Sequence, residues 1–149
     1  MATEEILNAI PHRPPFLFVD EVVEQTEDSL TTRRYVSEAE AFFEGHYPGN
    51  PIMPGVLISE AVFQTGAICL NRLLADELAA NPDMVPVLSK ITDARFRGIV
   101  RPKDTLLITA KFKEKMGGFM FMSGSVKTED GRRIMTVNFC VSLSKAADQ

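Results

Sequence analysis

Apolar and polar residues alternate with a period of two along the second half of the chain, a pattern typical of half-buried β-strands. Between residues 106 and 112 the apolar side of this pattern lies at the even positions, and between 135 and 143 it lies at the odd positions. Both segments are therefore predicted strands. Two further strands and two hairpin turns complete this half: strands over 87–96 and 119–126, with turns at Gly117-Gly118 and Asp130-Gly131.

The first half of the chain begins with a short amphipathic pattern over residues 3–10, which predicts a helix capped by Thr3 and ended by Pro11. Aromatic and β-branched residues then predict strands over 16–24 and 30–36. The polar residues 26–29 between them indicate a hairpin.

A long helix is predicted from Val56 to Leu74, and it is apolar nearly all round rather than along one stripe. Its 19 residues would span about 28 Å. Such a helix must be buried, so strands have to wrap around it. The pattern predicts an α+β fold in which a curved antiparallel sheet surrounds one central helix.

Two segments lack a regular pattern. Residues 42–55 (FFEGHYPGNPIMPG) contain three prolines and three glycines, which predicts a stiff loop and no regular element. Residues 79–86 (AANPDMVP) also predict a loop.

One acidic residue, Glu60, interrupts the apolar helix. A carboxylate that is buried without a partner is unstable, so Glu60 should either be paired or be poised to act as a general acid. Gln64 lies four residues later on the same helix face and could hold the carboxyl group. A self-satisfied polar patch of Glu60, Gln64 and Ser59 is an equally good interpretation from the helix alone.

The stiff loop carries His46, which can accept a proton at physiological pH. A loop histidine that caps a backbone group is the alternative. Gly55 stands at the predicted helix start, where free backbone N–H groups could stabilise an oxyanion. The other histidine, His12, is assigned a structural role. A base, an acid and an oxyanion site therefore occur within one short segment, although the base and the acid need not meet within one subunit.

Composition restricts the remaining classes of function. The 149 residues fit a single domain, 1–149, and Lys+Arg 16 against Asp+Glu 20 gives a net charge of −4, which argues against nucleic acid and anionic membranes as partners. The two cysteines are far apart, which predicts reduced core residues in a cytoplasmic protein. No apolar run predicts a membrane span, and the N-terminus has no export signal.

The run from Gly45 to Ile58 (GHYPGNPIMPGVLI), followed by Glu60, Ala61 and Gln64, closely resembles the β-hydroxyacyl-[acyl-carrier-protein] dehydratases of the hotdog fold. Residues 11–17 (PHRPPFL) and 94–97 (ARFR) also match segments of this family. The resemblance covers nearly the whole chain, and a hotdog is a curved sheet around a long helix.

The resemblance implies that His46 is the catalytic base, that Glu60 is its acid partner from the opposite subunit, and that the Gly55 N–H binds the thioester carbonyl. It implies dehydration of (3R)-hydroxyacyl thioesters to trans-2-enoyl thioesters in fatty-acid elongation, with no metal and no organic cofactor. A glutamate at position 60 is more similar to the general dehydratase than to its isomerising relative. Gln64 is expected to be among the residues that bind the substrate.

The sequence departs from the family pattern at Tyr47, where phenylalanine is common, and at Phe63, where smaller residues are usual. Both changes bear on the acyl tunnel and on chain length. A local basic cluster is either a solvated face or a docking site for an acidic acyl carrier protein or its phosphopantetheine phosphate; it comprises Arg95, Arg97, Arg101 and Lys103.

The family implies a homodimer with shared sites, and a hexamer as a trimer of dimers. Two other functions compete with the dehydratase. One is an acyl-thioester hydrolase, since hotdog proteins often cleave thioesters with a carboxylate on the central helix. The other is an acyl-binding module without catalysis.

Overall fold

The computed structural model describes residues 1–145. One antiparallel sheet in the strand order β1-β2-β4-β5-β6-β3 accompanies one long helix. The elements in chain order are α1 (Glu4–Ala9), β1 (Glu21–Gln25), β2 (Ser29–Tyr35), a 3-10 turn (Ala41–Glu44), α2 (Gly55–Leu73), α3 (Ala75–Ala80), β3 (Met84–Phe96), β4 (Thr105–Met116), β5 (Phe119–Thr128) and β6 (Arg133–Lys145).

The helix and the inner face of the sheet pack unusually closely. A Cβ atom on Gly124 of β5 would lie 2.2 Å from Cγ1 of Val62, and one on Gly66 of α2 would lie 2.8 Å from the ring of Phe139. Glycine at both positions lets the backbones approach. The alternating residues of β4 and β6 complete this core, which confirms the predicted α+β hotdog fold.

The predicted helices and hairpins are confirmed with small shifts at their ends. Thr3 caps α1 by accepting from the Ile6 N–H, and α2 begins one residue before the predicted start. Gly117 and Gly131 both adopt positive φ angles in their turns, as hairpin connections require. No helix among residues 1–145 has the length and apolarity needed to cross a bilayer.

Three local predictions were wrong. The strand predicted over 16–24 begins only at Glu21, because the backbone of Phe16 and Phe18 bonds to the side chain of Gln64 instead of to a neighbouring strand. The predicted loop 79–86 is shortened from both ends, by α3 and by β3. Pro86 is accommodated in β3 because this strand lies at the edge of the sheet. The stiff loop includes the 3-10 turn at its start.

The helix α2 is also less enclosed than its composition predicts. Its buried residues lie toward the sheet, whereas Val56 is 77% exposed and Glu60, Phe63 and Ala67 are only partly buried. These four residues follow helical spacing and form one stripe. The chain's own sheet therefore leaves one apolar side of the helix incompletely covered.

Both cysteines are unpaired and buried. Burial raises the pKa of the Cys69 thiol above its ordinary value. Ionisation of this thiol, and with it nucleophilic reactivity, is therefore suppressed in the folded protein.

Candidate active site

Glu60 projects from the second turn of α2 and is held by Gln64, one helical turn later. Nε2 of Gln64 donates to Oε2 of Glu60 at 3.0 Å, which is the hydrogen bond expected from their spacing. The Gln64 amide is itself fixed, because its Oε1 accepts from the Phe18 N–H at 2.8 Å and its Nε2 also donates to the Phe16 carbonyl. The Glu60 carboxyl group thus has a defined orientation.

Ser59 takes no part in this arrangement. Its Oγ donates to the Gly55 carbonyl at 3.0 Å, within the helix, and lies near the sulfur of Met135. The self-satisfied patch of Glu60, Gln64 and Ser59 is therefore reduced to Glu60 and Gln64. The Glu60 side chain keeps 22% of its surface exposed, so it is not sealed in the core.

Glu60 opens into a cavity of about 180 Å³ whose walls are mostly apolar. The lining residues are His12, Glu60, Phe63, Ala67, Pro86, Leu88 and Val141. The Phe63 ring packs edge-to-face on Phe139, with the ring centroids 5.1 Å apart. An apolar pocket with one convergent acidic group is suited to a hydrophobic chain that carries a polar reacting centre.

His46 lies in the loop before α2, and its ring is held from two sides. Nδ1 lies 3.0 Å from the Ile52 carbonyl, and the ring stacks on Tyr47 with the centroids 4.1 Å apart. Since a carbonyl oxygen only accepts, Nδ1 carries the hydrogen and Nε2 is left as the basic nitrogen. The loop is stabilised by backbone bonds from Ile52 to His46 and from Met53 to Val100.

The predicted base and acid do not share the cavity within one chain. His46 is not among the described residues that line the cavity around Glu60. Of the two predicted tunnel residues, Phe63 lines this cavity, whereas Tyr47 is half exposed and borders a separate hollow beside the 3-10 turn.

Gly55 is the first residue of α2, where the backbone N–H groups have no partner within the helix. A Cβ atom at this position would lie 2.9 Å from the ring of Phe96. Close packing of Phe96 is thus one physical reason for a glycine here, in addition to the substrate approach expected from the sequence.

The four basic residues predicted to form one cluster are divided by the structure. Arg95 and Arg97 line a groove of about 460 Å³ on the sheet, where Arg95 also pairs with Asp93. Arg101 donates to Asn50 in the His46 loop. Nζ of Lys103 lies 3.7 Å from Oε1 of Glu38. The four side chains thus have different neighbours in the structure, since β3 ends at Phe96 and both Arg101 and Lys103 lie in the segment that follows it.

His12 is the residue of this site whose place the sequence did not indicate. Its Nε2 lies 3.7 Å from Oε2 of Glu60. The signal available was a histidine between Pro11 and Arg13, followed by two further prolines. No spacing relates it to the helix. Within residues 1–145, no group of three or more His, Cys, Asp and Glu residues is arranged to hold a metal ion.

The chain matches known proteins over most of its length. The family described as the FabA-like domain matches residues 10–138. The 3-hydroxyacyl-[acyl-carrier-protein] dehydratase FabZ of Petrotoga mobilis is 38% identical over 130 residues, which cover 87% of this chain and 89% of that protein. The protein of the same name from Pseudothermotoga lettingae is 37% identical over 146 residues, covering 97% and 98% of the two chains.

Among solved structures, the dehydratase heterocomplex ApeI:P from Xenorhabdus doucetiae superposes with a TM-score of 0.76 at 14% identity, over 95% of this chain and 92% of that one. A hypothetical thioesterase with coenzyme A from Streptococcus pneumoniae gives 0.65 at 13% identity, over 84% and 88%. At such identities these likenesses show the shared fold. The sequence relatives are more specific, and with the family match they show that this chain belongs to the FabA-like family of 3-hydroxyacyl-[acyl-carrier-protein] dehydratases.

Proposed function

We propose that this protein removes water from (3R)-hydroxyacyl thioesters of acyl carrier protein, forming trans-2-enoyl thioesters in fatty-acid elongation. The observation that carries the proposal is the Glu60 carboxyl group, fixed by Gln64 and open to an apolar cavity, in a chain of this family. Such a cavity can accept an acyl chain and place its third carbon near the acid.

The reaction needs a base, an acid and a carbonyl-binding group. The Gly55 N–H would polarise the thioester carbonyl and acidify the α-carbon. Nε2 of His46 would remove the α-proton, and the protonated Glu60 would donate a proton to the departing β-hydroxyl, which leaves as water. The carbon–oxygen bond breaks as the double bond forms. Transfer of the proton from His46 back to Glu60 restores both groups, so no metal or organic cofactor is required.

We place the base and the acid on opposite subunits of a homodimer. Two features support this arrangement: the stripe of α2 around Glu60 and Phe63 is incompletely covered, and β3 is an edge strand with half-exposed Ile91 and Phe96. A second copy would cover the helix stripe and pair the edge strand. It would also bring its His46 toward the Glu60 cavity. A hexamer of three such dimers remains a prediction of the family resemblance.

An acidic carrier protein or its phosphate could dock in the groove that contains Arg95 and Arg97. Thr109, Ser123 and Ser125 contribute polar side chains beside these two cations. Cations among short hydroxyl side chains attract and bind an anionic group. Arg101 and Lys103 do not line this groove, so we assign them no role in it. The two buried free cysteines agree with a reducing, cytoplasmic setting.

Hydration of enoyl thioesters, the reverse reaction, tests the function directly. The purified protein is mixed with trans-2-enoyl thioesters of carrier protein and of coenzyme A, while the enoyl absorbance and free thiol are followed together. Loss of the band without thiol release is expected, with faster turnover of the carrier-protein thioesters. Thiol release would support the hydrolase instead. No change in either signal would support an acyl-binding module.

Phe63 is expected to limit acyl chain length, because its ring stands in the Glu60 cavity one turn along the helix. Phe63→Ala should raise the ratio of kcat/KM for long over short chains by about tenfold, since a few methylene groups in an apolar pocket are worth this much. Rates over a series of chain lengths measure the effect. Phe119→Ala removes an exposed ring outside the cavity and should leave the ratio unchanged. An unchanged ratio in Phe63→Ala would contradict the assignment.

A further inference from the structure

The imidazole of His12 lies beside the proposed acid. Nε2 of His12 and Oε2 of Glu60 are 3.7 Å apart, both side chains line the same cavity, and both are partly shielded, with 30% and 22% of their surfaces exposed. This separation is longer than a hydrogen bond, so a small closing movement would form one. The other walls of the cavity are apolar, and His12 is therefore the nearest ionisable neighbour of Glu60 in it.

The segment that carries His12 is anchored rather than loose. The Arg13 guanidinium donates to the carbonyls of Leu7, Ile10 and His12 at 2.8, 2.9 and 2.6 Å. These bonds tie the chain to the end of α1 and turn the positive charge of Arg13 toward carbonyl oxygens. The backbone that carries the His12 ring is thus held in place.

The two oxygens of Glu60 have different surroundings. Oε2 accepts from Gln64 and faces His12, whereas Oε1 makes no hydrogen bond with any residue of the described chain, 1–145. A carboxylic acid that is held through one oxygen presents the other in a constant direction. Oε1 is accordingly the atom positioned to carry the proton to the substrate hydroxyl.

The second nitrogen of His12 indicates which tautomer the ring adopts. Nδ1 is buried and has no hydrogen-bond partner among residues 1–145. A hydrogen on Nδ1 would be a buried donor without an acceptor among residues 1–145, which is unfavourable. The hydrogen of a neutral ring therefore lies on Nε2, the nitrogen that faces Glu60.

We propose that His12 is a positioning residue that acts as a hydrogen-bond donor to Glu60 through Nε2, an inference that rests on the proposed dehydratase function. Together with Gln64, it holds Oε2 and stabilises the carboxylate that forms as Oε1 gives its proton to the leaving hydroxyl. Because negative charge grows on Glu60 as it gives up its proton, the bond from His12, too long at 3.7 Å in the structure, forms toward the transition state. It therefore contributes to kcat more than to substrate binding.

Two substitutions separate this role from its alternatives. His12→Phe keeps a ring but removes the donor, and should lower kcat about 10- to 100-fold with KM within about twofold. His12→Gln places an amide N–H near the position of Nε2, and should restore kcat to within about fivefold of the wild type. In a Glu60→Gln background, His12→Phe should have no further effect on kcat, because the group that it assists is gone.

Each other outcome overturns the proposal. A kcat in His12→Gln as low as that in His12→Phe would show that the imidazole itself transfers a proton. If His12→Phe raised KM and left kcat unchanged, His12 would be assigned to substrate binding. If His12→Phe changed neither kcat nor KM, His12 would have no part in the reaction. An equal loss in the Glu60→Gln background would indicate a structural effect only. Wild-type protein without turnover would overturn the proposed function as well, which distinguishes that failure from a failure of the His12 role alone.

Discussion

Replacing His46 by alanine should lower the rate of enoyl-thioester hydration about 100- to 10,000-fold, because a positioned general base contributes about this much. Nδ1 of His46 faces the Ile52 carbonyl, so Nε2 is the nitrogen available for the α-proton. No other described histidine lies in this loop to replace it. Steady-state rates on a carrier-protein thioester measure the loss.

The fold should survive this substitution. His46→Ala removes one hydrogen bond and one ring stack at the protein surface, and such a hydrogen bond is worth about 1 kcal/mol. For a chain of this size, that energy lowers the melting temperature by about 2–4 °C. A loss of turnover with a melting shift of this size supports the base role. Turnover near the wild-type rate would remove His46 from the mechanism.

Substituting Glu60 by glutamine should also reduce turnover about 100- to 10,000-fold, with little change in shape. The amide keeps the size of the side chain, and its oxygen can still accept from Gln64, but it has no proton to give to the leaving hydroxyl. Both kcat in the hydration assay and the unfolding midpoint would be measured. An unchanged kcat would return Glu60 to the structural role that its bond with Gln64 also allows.

Mixing the His46→Ala protein with the Glu60→Gln protein tests whether two subunits share each active site. If each site takes His46 from one subunit and Glu60 from the other, half of the randomly re-formed dimers contain one intact site, and about a quarter of the wild-type turnover should return. If base and acid belong to one chain, every site stays defective and mixing restores nothing. The two proteins assayed without mixing are the control.

Much of the fold could be predicted from local sequence because its signals are local. The alternation over 106–112 and 135–143 identified strands whose inner residues are buried, and the turn glycines located the hairpins. The long apolar helix required a sheet around it, and this followed from its composition alone. The family resemblance rested on the run from Gly45 to Ile58 and on Glu60 and Gln64, which follow it closely in the chain.

Prediction failed where a distant side chain replaced a local partner. Residues 16–20 have the composition of a strand, yet the Gln64 amide takes the backbone bonds of Phe16 and Phe18 that a neighbouring strand would supply. Composition indicates that a segment can be extended. It does not indicate which polar group, from anywhere in the chain, will satisfy its backbone.

By itself, the sequence indicated the family, an acid within an apolar helix and a histidine in a stiff loop. Only the tertiary structure decided which groups surround that acid. His12 and Glu60 are far apart in the chain, and they meet because Arg13 ties one segment to the end of α1 while Gln64 holds the next segment against α2. Residue patterns record local periodicity, whereas the environment of a proton donor depends on contacts between distant segments.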